Sequence, residues 1–117
     1  MAGITTHVLN TDAGRPAVGM RIDFSMLESG VWRLVKTVRA NADGRTDEMI
    51  LEPERTRVGH YELVFYVDDY FRAQGAVLPD PPFLGTVPVR FAVSDPSRHY
   101  HVPMLFSAWS CATYRGS

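Results

Sequence analysis

With 117 residues, 45% of them apolar, and a formal charge of -1, the chain is long enough to close a hydrophobic core without staples and carries no surplus of either sign. Near-neutrality excludes the basic footprint of a nucleic-acid binder or of a protein held on an anionic membrane. The longest apolar run, Leu63 to Val67, is far short of the ~20 residues a bilayer requires, and neither a basic-then-apolar leader nor a Ser-Lys-Leu-like ending is present, so a cytoplasmic protein is expected.

Along the chain the dominant hydrophobic period is two, the mark of strands with one buried face. Thr5-Thr6-His7-Val8-Leu9 reads as such a strand, followed by the alternation of Val18, Met20, Ile22, Phe24 and Met26. Glu28-Ser29-Gly30 and Asn41-Ala42-Asp43-Gly44 are turn signals, the second a hairpin cue because Asp-Gly tolerates positive φ. Arg45, just past that turn, is expected to begin a strand at the sheet rim. Tyr61, Leu63, Phe65 and Val67 form the next strand. The only helical candidate runs from Asp69 to Gln74, with Asp68 or Asp69 as cap and Gly75 as stop. Pro79-Asp80-Pro81-Pro82 is a stiff loop rather than a linker. Val87, Val89, Phe91 and Val93, then residues 99–106, complete the strand series. Cys111 stands alone, which excludes an intramolecular disulfide and a cysteine-built zinc site, and it reads as a small buried apolar residue. Short strands separated by regular turns imply an all-β sandwich of one domain, residues 1–117, with one short helix.

The chemistry-bearing residues are few. On a strand over 99–106, His99 and His101 share one face while Tyr100, Val102, Met104 and Phe106 take the other. A histidine can be base in one step and acid in the next, and an arginine offers a permanent planar cation to an anionic or carbonyl oxygen. His7 lies on another strand and Arg45 just past the Asp-Gly turn; two histidines and an arginine would suffice to hydrolyse a polar heterocycle. His99 and His101 could instead share a metal ion, but no third ligand lies near them in sequence. His60, between Gly59 and Tyr61, reads as a surface residue. The polar ending Tyr114-Arg115-Gly116-Ser117 is rich in donors and reads as a segment that is used rather than left to fray.

Three blocks carry a family resemblance that spans Thr6 to Ser117: Thr6-His7-Val8-Leu9-Asn10-Thr11 with Gly14-Arg15-Pro16-Ala17; Asp43-Gly44-Arg45; and His99-Tyr100-His101-Val102-Pro103 running to Tyr114-Arg115-Gly116-Ser117. They resemble the 5-hydroxyisourate hydrolases, the enzyme branch of the transthyretin-like proteins; transthyretin proper lacks the Tyr-Arg-Gly-Ser ending. The resemblance implies a transthyretin-like two-sheet β-sandwich of about eight strands, assembled as a homotetramer, a dimer of dimers. It implies catalytic roles for His7, Arg45 and His101, and substrate binding by Tyr114, Arg115, Gly116 and Ser117. The implied partner is the small molecule 5-hydroxyisourate, opened by water during urate degradation, with no metal, no organic cofactor, no nucleic acid and no membrane involved.

On that reading one of His7 and His101 takes a proton from water, the other supplies a proton to the departing nitrogen, and Arg45 faces the developing oxyanion. Which histidine is base and which is acid stays open at this level. The sequence departs from the family pattern at Ala108-Trp109, where Pro-Tyr is common, and at Cys111. It also departs at Asn10, where aspartate is usual; the asparagine removes a charge expected to lie close to His7 while keeping the capacity to hydrogen-bond it.

Overall fold

The period-two pattern is realised as two four-stranded sheets packed face to face. The computed structural model describes residues 2–117 and contains β1 (Gly3–Asn10), β2 (Arg15–Pro16), β3 (Arg21–Glu28), β4 (Val31–Arg39), β5 (Gly59–Tyr66), α1 (Val67–Ala73), β6 (Thr86–Val93), β7 (His99–Phe106) and β8 (Cys111–Thr113). One sheet has the order β2-β1-β7-β8 and the other β4-β3-β5-β6. Among the described residues every strand pair is antiparallel except β1 and β7, which run parallel from Gly3 opposite His99 to Asn10 opposite Phe106. No helix in the described residues is long and apolar enough to cross a membrane.

The core lies between the sheets. Ile4 and Val8 of β1 and Tyr100, Val102, Met104 and Phe106 of β7 meet Ile22, Phe24, Leu63 and Phe65 from the opposite sheet, all buried. Each such side chain contributes about 1.5–3 kcal/mol by leaving water. Tyr61 stacks on Phe24 at 5.7 Å between ring centroids, and its hydroxyl donates to the Arg57 carbonyl at 2.7 Å, so its burial strands no polar atom.

Four sequence expectations are corrected here. Val18 is not an inward strand residue: Ala17 to Met20 form a turn, closed by Met20 N–H donating to the Ala17 carbonyl, and Val18 is exposed on it. The helix begins at Val67 rather than Asp69, with Tyr66 at the cap and no side-chain cap bond. The i, i+3, i+4 stripe of Val67, Tyr70 and Phe71 explains the shift, because burying it draws Val67 out of the strand and into the first helical turn. Tyr70 and Phe71 pack edge-on against Phe106 at 5.5 and 5.6 Å, fixing the helix to the end of β7. Cys111 is exposed, not buried, because β8 is a three-residue edge strand with all its residues in solvent. Arg45 begins no strand: residues 40–58 form a long loop between β4 and β5, in which Pro53–Arg55 make a single 3-10 turn.

That loop is what closes the first sheet. β2 pairs only with Leu9 and Asn10, which leaves most of the outer edge of β1 bare. The loop covers it at two points: Ile4 N–H donates to the Leu51 carbonyl at 3.0 Å and Ile50 N–H returns to Ile4 at 2.9 Å, while Val8 N–H donates to the Gly44 carbonyl at 2.8 Å. Covering an edge in this way satisfies its backbone donors and removes a template for aggregation.

Candidate active site

The parallel register of β1 and β7 puts side chains of the same parity on one face. Thr5 and His7 from β1 and His99 and His101 from β7 project together on the side away from the core, with Thr5 directly opposite His101. Thr6, one residue on, turns inward and its hydroxyl donates to the Val102 carbonyl at 2.7 Å. A one-residue slip would exchange these faces, so the hydrophobic pattern that builds the core also sets the polar face.

Arg45 reaches the same place by a different route. Asn41 folds the loop tip: its carbonyl accepts from Gly44 N–H, and its side-chain Oδ1 accepts from the N–H groups of Asp43 and Arg45. Gly44 then lies against β1 with φ of 77°, and a Cβ there would stand 2.5 Å from the Val8 carbonyl oxygen and 3.2 Å from His7 Cδ2. Only glycine allows both the conformation and the approach. The contact sets Arg45 beside His7.

The tail closes the third side. Gly116 N–H donates to the His101 carbonyl at 2.7 Å, bridging the tail to β7 beyond the end of β8, and a Cβ on Gly116 would meet His101 Cδ2 at 2.6 Å. Tyr114 and Ser117 thereby line the same cavity as His7, Arg45, His99 and His101, a space of about 580 Å³, within the range of small-molecule sites. Arg115 turns the other way. Its guanidinium lies 4.0 Å from the Tyr100 ring centroid and donates to the His99 carbonyl at 3.2 Å, so it fastens the tail to β7 rather than lining that cavity.

Hydrogen bonds constrain where protons sit. His7 Nε2 lies 2.8 Å from the Asp43 carbonyl, which can only accept; the ring proton is therefore on Nε2 and the neutral imidazole keeps its lone pair on Nδ1. His101 is held below the ordinary histidine range, first by burial, then by the charge of Arg45 and by the charge that His99 and His7 carry when protonated. It is neutral at neutral pH. Asp47 and Glu48 bring negative charge to the loop side of the cavity, and Asp47 accepts from Asn41 Nδ2 at 3.1 Å. Among the described residues no three His, Cys, Asp or Glu side chains converge on a metal position.

Two sequence expectations change in this region. Asn10 is not a neighbour of His7's ring. Three residues apart on a strand means opposite faces, and Asn10 is buried, donating to the Tyr70 hydroxyl at 3.2 Å and accepting from Asp12 and Ala13 N–H. Thr5, in contrast, joins the site without being a sequence candidate: its hydroxyl lies 2.7 Å from His99 Nε2 and 2.8 Å from His101 Nδ1. Only the pairing of β1 with β7 brings it there, although Thr5 shares parity with His7. His60 is exposed on β5, in the other sheet.

Comparison with known proteins agrees over the whole length. Residues 4–116 match the HIUase/Transthyretin family. The chain is 51% identical over 114 residues to 5-hydroxyisourate hydrolase 2 of Rhizobium meliloti, covering 97% of this chain and 95% of that one. It is 50% identical to the 5-hydroxyisourate hydrolase of Ralstonia nicotianae, with both chains covered completely. Among solved structures, (S)-allantoin synthase superposes with a TM-score of 0.91 at 41% identity over 98% of this chain, which spans 43% of that longer one.

Proposed function

Because this chain belongs to the HIUase/transthyretin family, we propose that it is a hydrolase that opens the ring of 5-hydroxyisourate to 2-oxo-4-hydroxy-4-carboxy-5-ureidoimidazoline in urate degradation. The observation that carries this reading is the meeting of His7, Arg45 and His101 around one cavity, from two strands and a loop.

In the proposed reaction His101 Nε2 is the base. It takes a proton from water, the water oxygen bonds to the ring acyl carbon, and the carbonyl electrons move onto oxygen. Burial and the surrounding positive charge keep His101 neutral, the state a base needs, and such catalysis is worth about 10²–10⁴-fold. Arg45 faces the oxyanion, a stabilisation of about 3 kcal/mol by comparison with other preorganised donors. As the tetrahedral centre collapses, the carbon–nitrogen bond breaks and the nitrogen receives the remaining proton of the former water, which His7 takes from the new C–O–H at Nδ1 and hands on; its Nε2–H stays with the Asp43 carbonyl throughout. The products are a carboxylate and a ureido N–H. Tyr114 and Ser117 position the substrate; Gly116 and Arg115 hold the segment that carries them.

The same reading includes a homotetramer, a dimer of dimers, in a cytoplasmic setting. The exposed three-residue edge of β8 and the exposed ring of Trp109, 6.0 Å from that of Phe83, are surfaces such an assembly would cover.

The test is the ultraviolet decay of 5-hydroxyisourate generated in situ by oxidising urate, followed with wild type and with His101→Asn. Fast decay with the first and a rate lower by about 10² or more with the second is the expected outcome. A spontaneous rate unchanged by folded wild-type protein would overturn the proposal.

A further inference from the structure

The hydroxyl of Thr5 sits between two imidazoles and has one proton to give. It is 2.7 Å from His99 Nε2 and 2.8 Å from His101 Nδ1, so if it donates to one ring it accepts from the other. The two rings, with centroids 6.2 Å apart, are thus coupled. In one arrangement Thr5 donates to His101 Nδ1, the proton of neutral His101 is forced onto Nε2, and no lone pair remains for water. In the other, His101 Nδ1–H donates to Thr5, Thr5 donates to His99 Nε2, and His101 Nε2 is bare.

We propose that Thr5 and His99 are positioning residues that select the tautomer of His101, presenting Nε2 as the base of the hydrolysis. The catalytic consequence rests on the hydrolase reading; the tautomer does not. Thr5 is the shared partner that makes the two rings depend on each other, and the protonated state of the base then favours the second arrangement. His99 is half-buried in the cavity, with its backbone carbonyl already engaged by Arg115, and Thr5 Oγ1 is the only polar side-chain partner its ring has among the described residues. His101 Nδ1 likewise has Thr5 as its only such partner among them. When His101 takes a proton at Nε2 it becomes a donor at both nitrogens, which the second arrangement accommodates without any rotation of the threonine hydroxyl. The first arrangement would have to reverse before the ring could act.

The coupling also provides a proton exit. From the imidazolium, Nδ1–H passes to Thr5 Oγ1 as the threonine proton passes to His99 Nε2; His99 becomes the cation and His101 returns to neutral with Nε2–H. No bond other than these two O–H and N–H bonds changes, and charge is conserved. The same logic gives His99 a veto: once protonated it can only donate to Thr5, which then donates to His101 and removes the base. The charged groups around this pair are Arg45, Asp47 and Glu48 from the loop and His7 from β1, with Arg115 bound behind it at the His99 carbonyl.

Fixing the tautomer of a working histidine by its other nitrogen is typically worth about 10–100-fold. Thr5→Val keeps the β-branched shape on the strand and deletes the hydroxyl; Thr5→Ser restores it. Nitrogen-15 spectra of the histidine rings, recorded near neutral pH without substrate, are expected to show His101 protonated at Nδ1 in wild type and in Thr5→Ser, and shifted toward Nε2 in Thr5→Val. With substrate, kcat is expected to fall about 10–100-fold in Thr5→Val with KM unchanged, and to stay near wild type in Thr5→Ser. A wild-type His101 protonated at Nε2, or a Thr5→Ser variant as impaired as Thr5→Val, would overturn the proposal. Absence of turnover in wild type would remove the hydrolase reading, and the ring spectra would still decide the tautomer.

Discussion

Gly44→Ala tests whether the loop is what places Arg45. The substitution adds one methyl group at φ of 77°, where an L side chain costs about 1–2 kcal/mol. The new carbon would stand 2.5 Å from the Val8 carbonyl oxygen and 2.9 Å from Pro16 Cβ, both on structure that cannot swing aside, so the loop must lift from β1. Lifting it breaks the 2.8 Å bond from Val8 N–H to the Gly44 carbonyl, a loss of about 1 kcal/mol. The sum is about 2–3 kcal/mol. For 117 residues the unfolding entropy is about 0.25 kcal/mol per kelvin, so the midpoint falls by about 8–12 °C. On the proposed mechanism, displacing Arg45 by even 1 Å should lower turnover by about 10²-fold. Thermal denaturation followed by circular dichroism, with the urate-coupled decay assay at a temperature where the variant is folded, measures both. A variant that melts within about 2 °C of wild type and turns over at the wild-type rate would refute the reasoning.

Arg45→Gln should lower kcat/KM by about 10²–10³ while leaving the melting temperature within about 1 °C, since Arg45 is exposed; steady-state kinetics beside a thermal melt checks the split. Gly116→Ala should act on His101 itself, because its Cβ would lie 2.6 Å from the ring's Cδ2: kcat is expected to drop with little change in stability, read by the same pair of measurements. His101 is held below its ordinary range in the folded chain, so between the folded and the ordinary values the unfolded state binds more protons, and the stability present above the ordinary value is lost as pH falls toward and through the folded one. Wild type should therefore lose melting temperature as pH falls from neutrality below the ordinary histidine value of about 6.5, and His101→Asn should lose less over the same interval.

Parity is the legible part of this molecule. The alternation in Tyr61, Leu63 and Phe65, and in Tyr100, Val102, Met104 and Phe106, fixes which residues enter the core, and by subtraction it puts His99 and His101 on the other face. The same parity argument, carried through β1, separates Asn10 from His7. What periodicity does not contain is partnership between strands. Thr5 acquires its neighbours from β7, which lies more than ninety residues away. Arg45 is recognisable by its Asp-Gly-Arg setting, yet Asn-Ala-Asp-Gly encodes only a turn and does not specify the path of the chain beyond it. The chain leaves that turn to cover the edge of β1 instead of pairing with β4 as a hairpin would. Cys111 departs from its expected burial because hydrophobicity reports a preference for the interior, and an edge strand of three residues has no second layer in this chain to supply one. Val67 shows tertiary packing overriding local pattern: it continues the alternation of β5, yet its contacts with the core are made from a helix.

The parallel pairing of β1 with β7 also sets a timetable for synthesis. The hydroxyl of Thr5 and the ring of His101 are separated by 96 positions in sequence, and a ribosome adding about 5–20 residues per second needs about 5–20 s to make the second after the first. During that interval β3, β4 and β5 can zip up through neighbouring contacts, whereas β1 waits with the edge that β7 will fill still open. A nascent chain halted before His99 would carry His7 and Arg45 and no cavity between them. The proposed site is therefore completed only once β7 has been made, and the unpaired edge of β1 is the surface a chaperone would have most reason to shield until then.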